Sequence, residues 1–170
     1  LSEAAADGLL IDGKGCPRDV EKVLTAADWL KDRVIDVNVL LMDKLGIDRL
    51  SGRFTQSVKV TYHDPCHLAK AQKIRLQPRQ ILRAIDGIEF KEMAEADACC
   101  GGSGTFGLSH YDLAMKILDR KISSIRETGA DIVATSCPSC MTQLGYGLRK
   151  AGAKMEVVHP LQLLVRSAPK

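Results

Sequence analysis

Apolar residues recur along the chain with the spacing of helices in some stretches and of strands in others. Between Pro17 and Gly46, valine, leucine and alanine residues follow one another at steps of three and four, which predicts one amphipathic helix. Pro17 suits the first turn of a helix, and Gly46 is a typical stop signal. We therefore expect a single long helix ahead of the other elements.

Short strand patterns then alternate with helical patterns through the rest of the chain. The predicted strands are 57–62, 88–93, 131–135 and 155–158, and the predicted helices are 78–84, 109–128, 138–150 and 161–166. Ser109 is the expected N-cap of its helix, and Gly129 is the expected stop. This alternation predicts an α/β fold, a three-layer Rossmann-like domain. Its sheet would have four mainly parallel strands with helices on both faces, preceded by the N-terminal helix.

Composition indicates a folded protein and argues against several classes of function. The 170 residues are 45% hydrophobic and 26% charged, which is typical of one globular domain. A net charge of +3 and few aromatic residues (one Trp, three Tyr, three Phe) do not support nucleic-acid binding. No run of about 18 apolar residues predicts a membrane span, and the first residues lack a signal-peptide pattern. We expect a cytoplasmic protein, in which thiols are reactive or bound to metal rather than paired.

Five of the six cysteines follow the first three predicted strands. Cys66 comes after the first strand, Cys99 and Cys100 come after the second, and Cys137 and Cys140 come after the third. The carboxyl ends of parallel strands share one edge of the sheet, which is where ligands bind in such folds. We therefore expect all five thiols to meet at one site.

The number and spacing of these thiols favour a metal cluster over a single ion. Thiolate ligands select zinc, copper(I) or iron–sulfur clusters. Five thiols exceed the four ligands of structural zinc, and the adjacent side chains of Cys99 and Cys100 diverge, so they suit different atoms of one cluster. Cys137 and Cys140 lie on one helical turn and can aim their sulfurs alike. Buried free cysteines and a thiol–disulfide oxidoreductase are the alternatives, but neither accounts for all five positions.

The same residues resemble the motif of a known family, the CCG (cysteine-rich) domain of the heterodisulfide reductase B subunit and of glycolate oxidase iron–sulfur subunits. The resemblance rests on Cys66, on the Cys99-Cys100-Gly101 run and on Cys137-Pro-Ser-Cys140, and it covers roughly residues 57–166. The surrounding YHDPCHL, GADIVATSCPSC and HPLQLL segments are most similar to the C-terminal part of a glycolate oxidase iron–sulfur subunit.

This resemblance implies an iron–sulfur cluster, either 4Fe-4S or non-cubane. The implied ligands are Cys66, Cys99, Cys100, Cys137 and Cys140. It also implies electron transfer in a flavin-linked 2-hydroxyacid oxidase of the glycolate type, with FAD on a partner subunit and no catalytic residue in this chain. Two alternatives stay open: a structural zinc module at a subunit interface, and cluster-based disulfide reduction as in heterodisulfide reductase.

The family pattern includes segments that this sequence does not contain, namely a ferredoxin-like segment and a first CCG domain ahead of the motif. Because the sequence has one CCG motif and neither of these segments, we interpret it as the C-terminal half of a longer subunit; its start at Leu1 rather than at Met also suggests a fragment or a processed product. Residues 1–50 would be a helical linker or tail of the missing part, and residues 51–170 would be the CCG domain. The implied partners are a flavin-containing subunit and those missing domains. Through such partners the protein would associate peripherally with the inner face of a membrane.

Glycines follow the central cysteine pair and permit two interpretations. Gly102, Gly104 and Gly107 form a G-x-G-x-x-G pattern, but no acidic residue follows the next strand as a dinucleotide site requires. We expect instead that Gly101, Gly102 and Gly104 let backbone N–H groups approach the sulfurs of the cluster. A flexible connector is the alternative.

Three histidines lie near the predicted strand ends, on the same edge as the cysteines. We expect His63, His67 and His159 to cap turns or form local hydrogen bonds rather than bind metal. Cys16 lies outside the motif and is expected to be an incidental loop thiol.

A run of cations without acidic residues follows the first predicted strand. It consists of Lys70, Lys73, Arg75, Arg79 and Arg83. This run would either dock an acidic face of a partner or form a solvated helical face.

Overall fold

Four strands with helices between them form the part of the chain that the structure describes. The computed structural model describes residues 20–31, 33–46 and 53–168. The strands are β1 (Arg53–Tyr62), β2 (Asp86–Phe90), β3 (Ile132–Ala134) and β4 (Glu156–Val158). The helices are α1 (Val20–Lys31), α2 (Val37–Val39), α3 (Leu76–Ala84), α4 (Phe106–Ser109), α5 (Tyr111–Glu127), α6 (Pro138–Lys150) and α7 (Pro160–Ser167). Two π-helical turns are Leu40–Lys44 and His67–Ala71. None of the helices within these ranges is long and apolar enough to span a membrane.

Neighbouring strands of the sheet pair in parallel, in the order β2-β1-β3-β4. Val60 of β1 lies opposite Ile132 of β3, and Ala134 lies opposite Val158 of β4. After β1 the chain adds β2 on one side and then returns to add β3 and β4 on the other. This reversal leaves a crevice at the carboxyl ends of β1 and β3, the usual ligand position in open α/β sheets. The predicted four-stranded parallel sheet is confirmed.

Side chains alternate between the two faces of the sheet, and each face carries its own helices. Ile132 and Ala134 pack in one buried cluster with Leu163 of α7, and α3 belongs to the same layer. Val133 lies between them and points to the opposite face. There it packs in a second cluster with Leu118 of α5 and with α6. Helices therefore cover both faces, and the predicted three-layer arrangement is confirmed.

The single helix predicted for residues 17–46 is wrong, because it is interrupted before α2. Residues 34–36 are not helical. The Asp36 carboxylate accepts the backbone N–H of Asn38 at 2.9 Å, which caps α2 and fixes a new helix start. The apolar spacing runs through this break, so periodicity alone could not show it. Pro17, the predicted first turn, and the predicted loop thiol Cys16 lie outside the described residues.

The segment that contains α2 packs on the sheet. Leu41 and Met42 contact the same buried cluster as α3 and α7. Asn38 is fully buried, and its Nδ2 atom donates to Ser136 Oγ at 3.4 Å. Residues 37–44 therefore share the core of the strands, although the predicted domain boundary at residue 50 assigns them to a linker. That boundary stays a prediction.

Ser109 does not cap the long helix, contrary to our expectation. It ends the short helix α4, and its hydroxyl donates to the carbonyl of Thr105 at 3.2 Å. Because Ser109 already has helical backbone, its hydroxyl reaches the carbonyl four residues earlier rather than the N–H groups ahead. His110 precedes α5, and its side chain forms no cap. The predicted stop at Gly129 is confirmed by its left-handed backbone, with φ of +61°.

Candidate metal centre

The candidate site lies where β1 and β3 end. His63 directly follows β1, and its backbone N–H donates to the carbonyl of Ala134 at 2.9 Å. The backbone N–H of Asp64 donates to the carbonyl of Ala96 at 3.0 Å, which ties the loop after β2 to the end of β1. That loop carries the central cysteine pair. The loops that follow β1, β2 and β3 are thus joined at one edge of the sheet.

Three buried side chains at this edge of the sheet bring their metal-binding atoms together. The ligand atoms of His63, Cys100 and Cys140 all lie within 4.8 Å of one another. None of the three residues is more than 7% exposed. Two ligands of one ion lie at most ~4.6 Å apart when each metal–sulfur bond is ~2.3 Å long. The spacing is therefore close to that of ligands to one metal atom or to adjacent atoms of a cluster.

Cys137 and Cys140 frame the first turn of α6. Cys137 is half-buried at the N-cap with extended backbone, and Pro138 occupies the first helical position. The Cys137 side chain interacts with the Cys140 thiol. Both sulfurs therefore point to the same place, as their spacing predicts.

Cys66 and Cys99 are exposed and lie outside the buried donor group. Cys66 precedes the π-helical turn that follows β1. Cys99 Sγ accepts the backbone N–H of Gly101 at 3.3 Å. The structure thus brings three of the five predicted sulfur ligands together and leaves these two on flanking loops.

The pKa values of the Cys100 and Cys140 thiols are shifted in opposite directions. The Cys140 thiol donates a hydrogen bond to the Cys100 sulfur, which lowers the pKa of Cys100 and raises the pKa of Cys140. A hydrogen bond from His63 lowers the pKa of Cys100 further, against the effect of burial. Cys100 is therefore the thiolate of the pair, and the thiolate is the form that binds metal.

The glycines after the cysteine pair hold this loop against two helices. Gly101 has φ of +82°, and a Cβ atom there would lie 2.6 Å from the carbonyl oxygen of Ala114 in α5. A Cβ atom on Gly102 would lie 2.8 Å from Cβ of Gln143 in α6, and the Gly102 N–H bonds to the Cys100 sulfur. A Cβ atom on Gly104 would meet no atom within 4 Å. Backbone N–H groups therefore reach two of the sulfurs, and Gly104 makes no close contact.

The three histidines have different roles in the structure. His159 caps α7 as expected, because its Nδ1 atom accepts the backbone N–H of Leu161 at 3.2 Å. His67 is exposed. His63 does not fit the expected local role, because its ring lies beside the buried thiols and its Nδ1 atom has no hydrogen-bond partner. Its place between β1 and the first cysteine of the motif was the signal available in the sequence.

Several arginines of the predicted cation run form ion pairs with carboxylates inside the domain. Arg79 donates two hydrogen bonds of 2.8 Å to the carboxylate of Asp64, which is 3% exposed. It also donates to Glu92 at 2.9 Å. Arg75 pairs with Asp97 at 3.2 Å. These arginines fix the loops that lead into the site, which leaves less of the run for docking a partner.

Sequence reasoning missed Lys121, a buried cation beside the cysteine loop. It is 2% exposed, and its Nζ atom donates to the carbonyl of Glu95 at 2.6 Å. Lys121 lies three residues after Leu118 and four before Ile125, so it sits on the apolar stripe of α5. A lysine on an apolar stripe was the signal that could have revealed it.

The donor chemistry of the site fits a soft metal or an iron–sulfur cluster. Sulfur atoms dominate the donors, and His63 adds one nitrogen. The His63 hydrogen bond to the Cys100 sulfur and the backbone N–H groups of the glycine loop supply polar contacts around the sulfurs, and the Nδ1 atom of His63 is left without a partner.

Comparison with known proteins identifies a family and several relatives. A family model described as "CCG: Cysteine-rich domain" matches residues 60–145. The probable glycolate oxidase iron-sulfur subunit of Bacillus subtilis (strain 168) is 40% identical over 111 residues, which are 64% of this chain and 25% of the relative. The B subunit of the fumarate reductase (CoM/CoB) of Methanothermobacter marburgensis is 36% identical over 133 residues, which are 76% of this chain and 27% of the relative.

A third relative is similar to this chain over a larger share of its own length. Lactate utilization protein A of Oceanobacillus iheyensis is 27% identical over 143 residues, which are 81% of this chain and 58% of that protein. The chain therefore spans about a quarter of the length of the first two relatives and somewhat more than half of the third.

Proposed function

Since the chain belongs to the family of CCG cysteine-rich domains, we propose that it binds an iron–sulfur cluster and carries electrons within a larger oxidoreductase. One observation supports this proposal more strongly than the others. A buried cysteine from the loop after β2, a second from the first turn of α6 and a buried histidine place their ligand atoms within 4.8 Å of one another, at the crevice between β1 and β3. Structural stability does not require such a group, because apolar residues could fill the same space.

The proposed ligands include the two exposed cysteines as well as the buried ones. They are Cys66, Cys99, Cys100, Cys137 and Cys140. Metal–thiolate binding contributes about 10–16 kcal/mol in zinc-finger peptides, enough to drive the folding of those peptides. The loops of Cys66 and Cys99 can therefore move toward the site and add their sulfurs to those of the buried cysteines as ligands. When bound, the cluster supplies one-electron transfer between partners.

The wider complex would be a flavin-linked 2-hydroxyacid oxidase of the glycolate type. The 40% identity to a probable glycolate oxidase iron-sulfur subunit supports this choice. In such a complex, FAD and substrate oxidation belong to a partner subunit, and this chain relays the electrons. The remaining length of the relatives leaves room for further domains of the same subunit.

A second candidate function, a structural zinc site, is favoured by the same buried group. One imidazole and three thiolates are a common structural zinc set. Here that set would be His63, Cys100, Cys137 and Cys140, with no role for the exposed cysteines. Zinc would then stabilise an interface between subunits.

Substitution of single ligands separates these two functions. We expect Cys66→Ser to lose most of the iron and visible absorption after anaerobic reconstitution with iron and sulfide, with Cys16→Ser as the matched control that keeps both. His63→Gln is expected to retain iron. A protein that takes up one zinc, loses it in His63→Gln and keeps it in Cys66→Ser would contradict the cluster and establish the zinc site.

A further inference from the structure

Lys121 is a buried cation without a carboxylate partner among the described ion pairs. It lies in the middle of α5 and is only 2% exposed. Its Nζ atom donates to the carbonyls of Glu95 at 2.6 Å and Ala96 at 3.4 Å, and it lies 3.8 Å from the sulfur of Met93. Lysine is almost never this buried unless it is paired. A role beyond packing is therefore needed to explain it.

An apolar residue at position 121 would pack in this part of the core more favourably than a lysine does. The cluster around α5 consists of aliphatic and sulfur-containing side chains, including Leu118, Ile122 and Met115. A methionine at position 121 would fill a similar volume without the cost of removing a charge from water. That cost is visible in the pKa of Lys121, which burial lowers.

The groups that Lys121 contacts belong to the loop that carries the central cysteine pair. The carbonyl of Ala96 accepts both the Lys121 ammonium and the backbone N–H of Asp64, so this point joins α5, the loop and the end of β1. Glu95 has φ of +52°, an uncommon backbone conformation for a residue with a side chain. Lys121 therefore fixes the turn that leads directly to Cys99 and Cys100.

The charge of Lys121 also acts on the site itself. It interacts with the Cys100 thiolate, and it is flanked by the acidic groups of Glu95, Asp97 and Asp64. Each of these three carboxylates already pairs with an arginine. Of the charged groups that raise the pKa of Lys121, Cys100 has the largest effect, and a buried charge is screened much less than an exposed one.

We propose that Lys121 is a positioning residue that holds the cysteine loop and, through its buried positive charge, raises the reduction potential of the cluster at Cys100. This inference rests on the proposed iron–sulfur function. One-electron reduction adds one negative charge to the cluster, and a fixed cation nearby stabilises the reduced form more than the oxidised form. Removing the charge therefore makes reduction harder.

The test compares the midpoint potential of the reconstituted full chain with that of three variants. Lys121→Gln keeps a hydrogen-bond donor for the carbonyls but removes the charge. Lys121→Arg keeps the charge. Lys116→Gln is the control, because Lys116 is an exposed lysine on the same helix. We expect a more negative midpoint potential in Lys121→Gln only, and the shift should persist at high salt because the charge is buried.

Each outcome decides the inference. An unchanged potential in an iron-loaded Lys121→Gln protein, or an equal fall in Lys121→Arg, would overturn the electrostatic role. If Lys121→Gln fails to load iron while Lys121→Arg loads it with an unchanged midpoint potential, a cation is required at this position and the inference stands. If both fail, the positive charge does not account for the role of Lys121 and its proposed effect on the potential is wrong. A wild-type chain that binds no iron would instead refute the proposed function.

Discussion

At the scale of single residues, the five cysteines of the motif are not equivalent. Cys100 and Cys140 lie in the core with His63, whereas Cys66 and Cys99 are exposed. Spacing along the sequence could predict that all five meet at one edge, because strand ends are visible in the pattern. It could not rank them by burial, since burial depends on how α5 and α6 pack over the loops.

Two residues of the site were not recognisable as such from their type. A histidine after a strand is more often a local cap, and a lysine in a helix is more often on the solvated face. Lys121 and His63 depart from these rules because the loop after β2 folds back over α5 and the end of β1. Such contacts join residues that are far apart in sequence, which no local pattern records.

Gly101 gives the first prediction at this scale. Gly101→Ala combines a left-handed backbone with a Cβ atom 2.6 Å from the carbonyl oxygen of Ala114. We expect it to lower the free energy of unfolding of the apo protein by more than about 2 kcal/mol in urea denaturation, because strain of roughly 1–2 kcal/mol adds to the clash. It should also weaken iron retention.

Gly104→Ala is the matched control for this prediction. Gly104 has φ of +48° but no atom within 4 Å of its Cβ position. We expect the backbone strain alone, about 1 kcal/mol, with iron retention unchanged. Equal losses in the two alanine variants would show that the close contact with α5 does not matter.

At the scale of elements, residues that signal the start or end of a helix made some boundaries predictable. Boundaries without such a signal were predicted wrongly. Helix α6 runs from Pro138 to Lys150 as predicted, because proline marks its first turn. The break before α2 was invisible, because it depends on one aspartate that caps a helix inside an unbroken apolar pattern. The predicted strand 88–93 spans Asp86–Phe90 in the structure, where Gly87, a residue type that often marks strand boundaries, lies within β2.

The ion pair between α3 and the end of β1 gives a second prediction. Arg79→Met leaves the carboxylate of Asp64 buried without its partner. Breaking a buried pair in this way costs about 3–5 kcal/mol, and we expect a loss of that size in urea denaturation.

Arg83→Met tests whether this loss is specific. Arg83 lies in the same helix, but its side chain is 55% exposed and its nearest carboxylate, on Glu92, is 3.9 Å away. We expect a change below about 1 kcal/mol. A loss as large as that of Arg79→Met would mean that the buried pair with Asp64 is not what stabilises this edge.

The segment 37–44 gives a third prediction, which concerns the domain boundary. A chain that starts at residue 33 removes α1, whose Trp29 is 57% exposed. We expect such a chain to unfold at the same urea concentration as the full chain. A chain that starts at residue 51 also removes Leu41 and Met42, which pack on the core. Because burial of each side chain contributes up to roughly 1.5–3 kcal/mol, we expect this second chain to be destabilised by about 2–4 kcal/mol.

These two truncations test the boundary directly. If the chain that starts at residue 51 is as stable as the one that starts at residue 33, the predicted division at residue 50 is right and α2 is only a tail. If it is weaker, the domain begins ahead of α2.

At the scale of the whole molecule, the order of the strands places the site. Strands are added on one side of β1 and then on the other, so the loops after β1 and β3 enclose one crevice. The alternation of strands and helices made this topology predictable. The same alternation predicts that the cysteine loops share one edge of the sheet. The chain nevertheless spans about a quarter of the length of two of its relatives, so we expect the complete electron-transfer route to include further parts.

The central claim is that the cysteine site holds a redox-active iron–sulfur cluster. Electron paramagnetic resonance of the anaerobically reconstituted chain, combined with iron, sulfide and zinc analysis, tests this claim most directly. We predict iron with acid-labile sulfide, a paramagnetic signal in one oxidation state that disappears in the other, and loss of both in Cys140→Ser. Stoichiometric zinc with no redox-dependent signal, or a wild-type chain that takes up no iron, would contradict it.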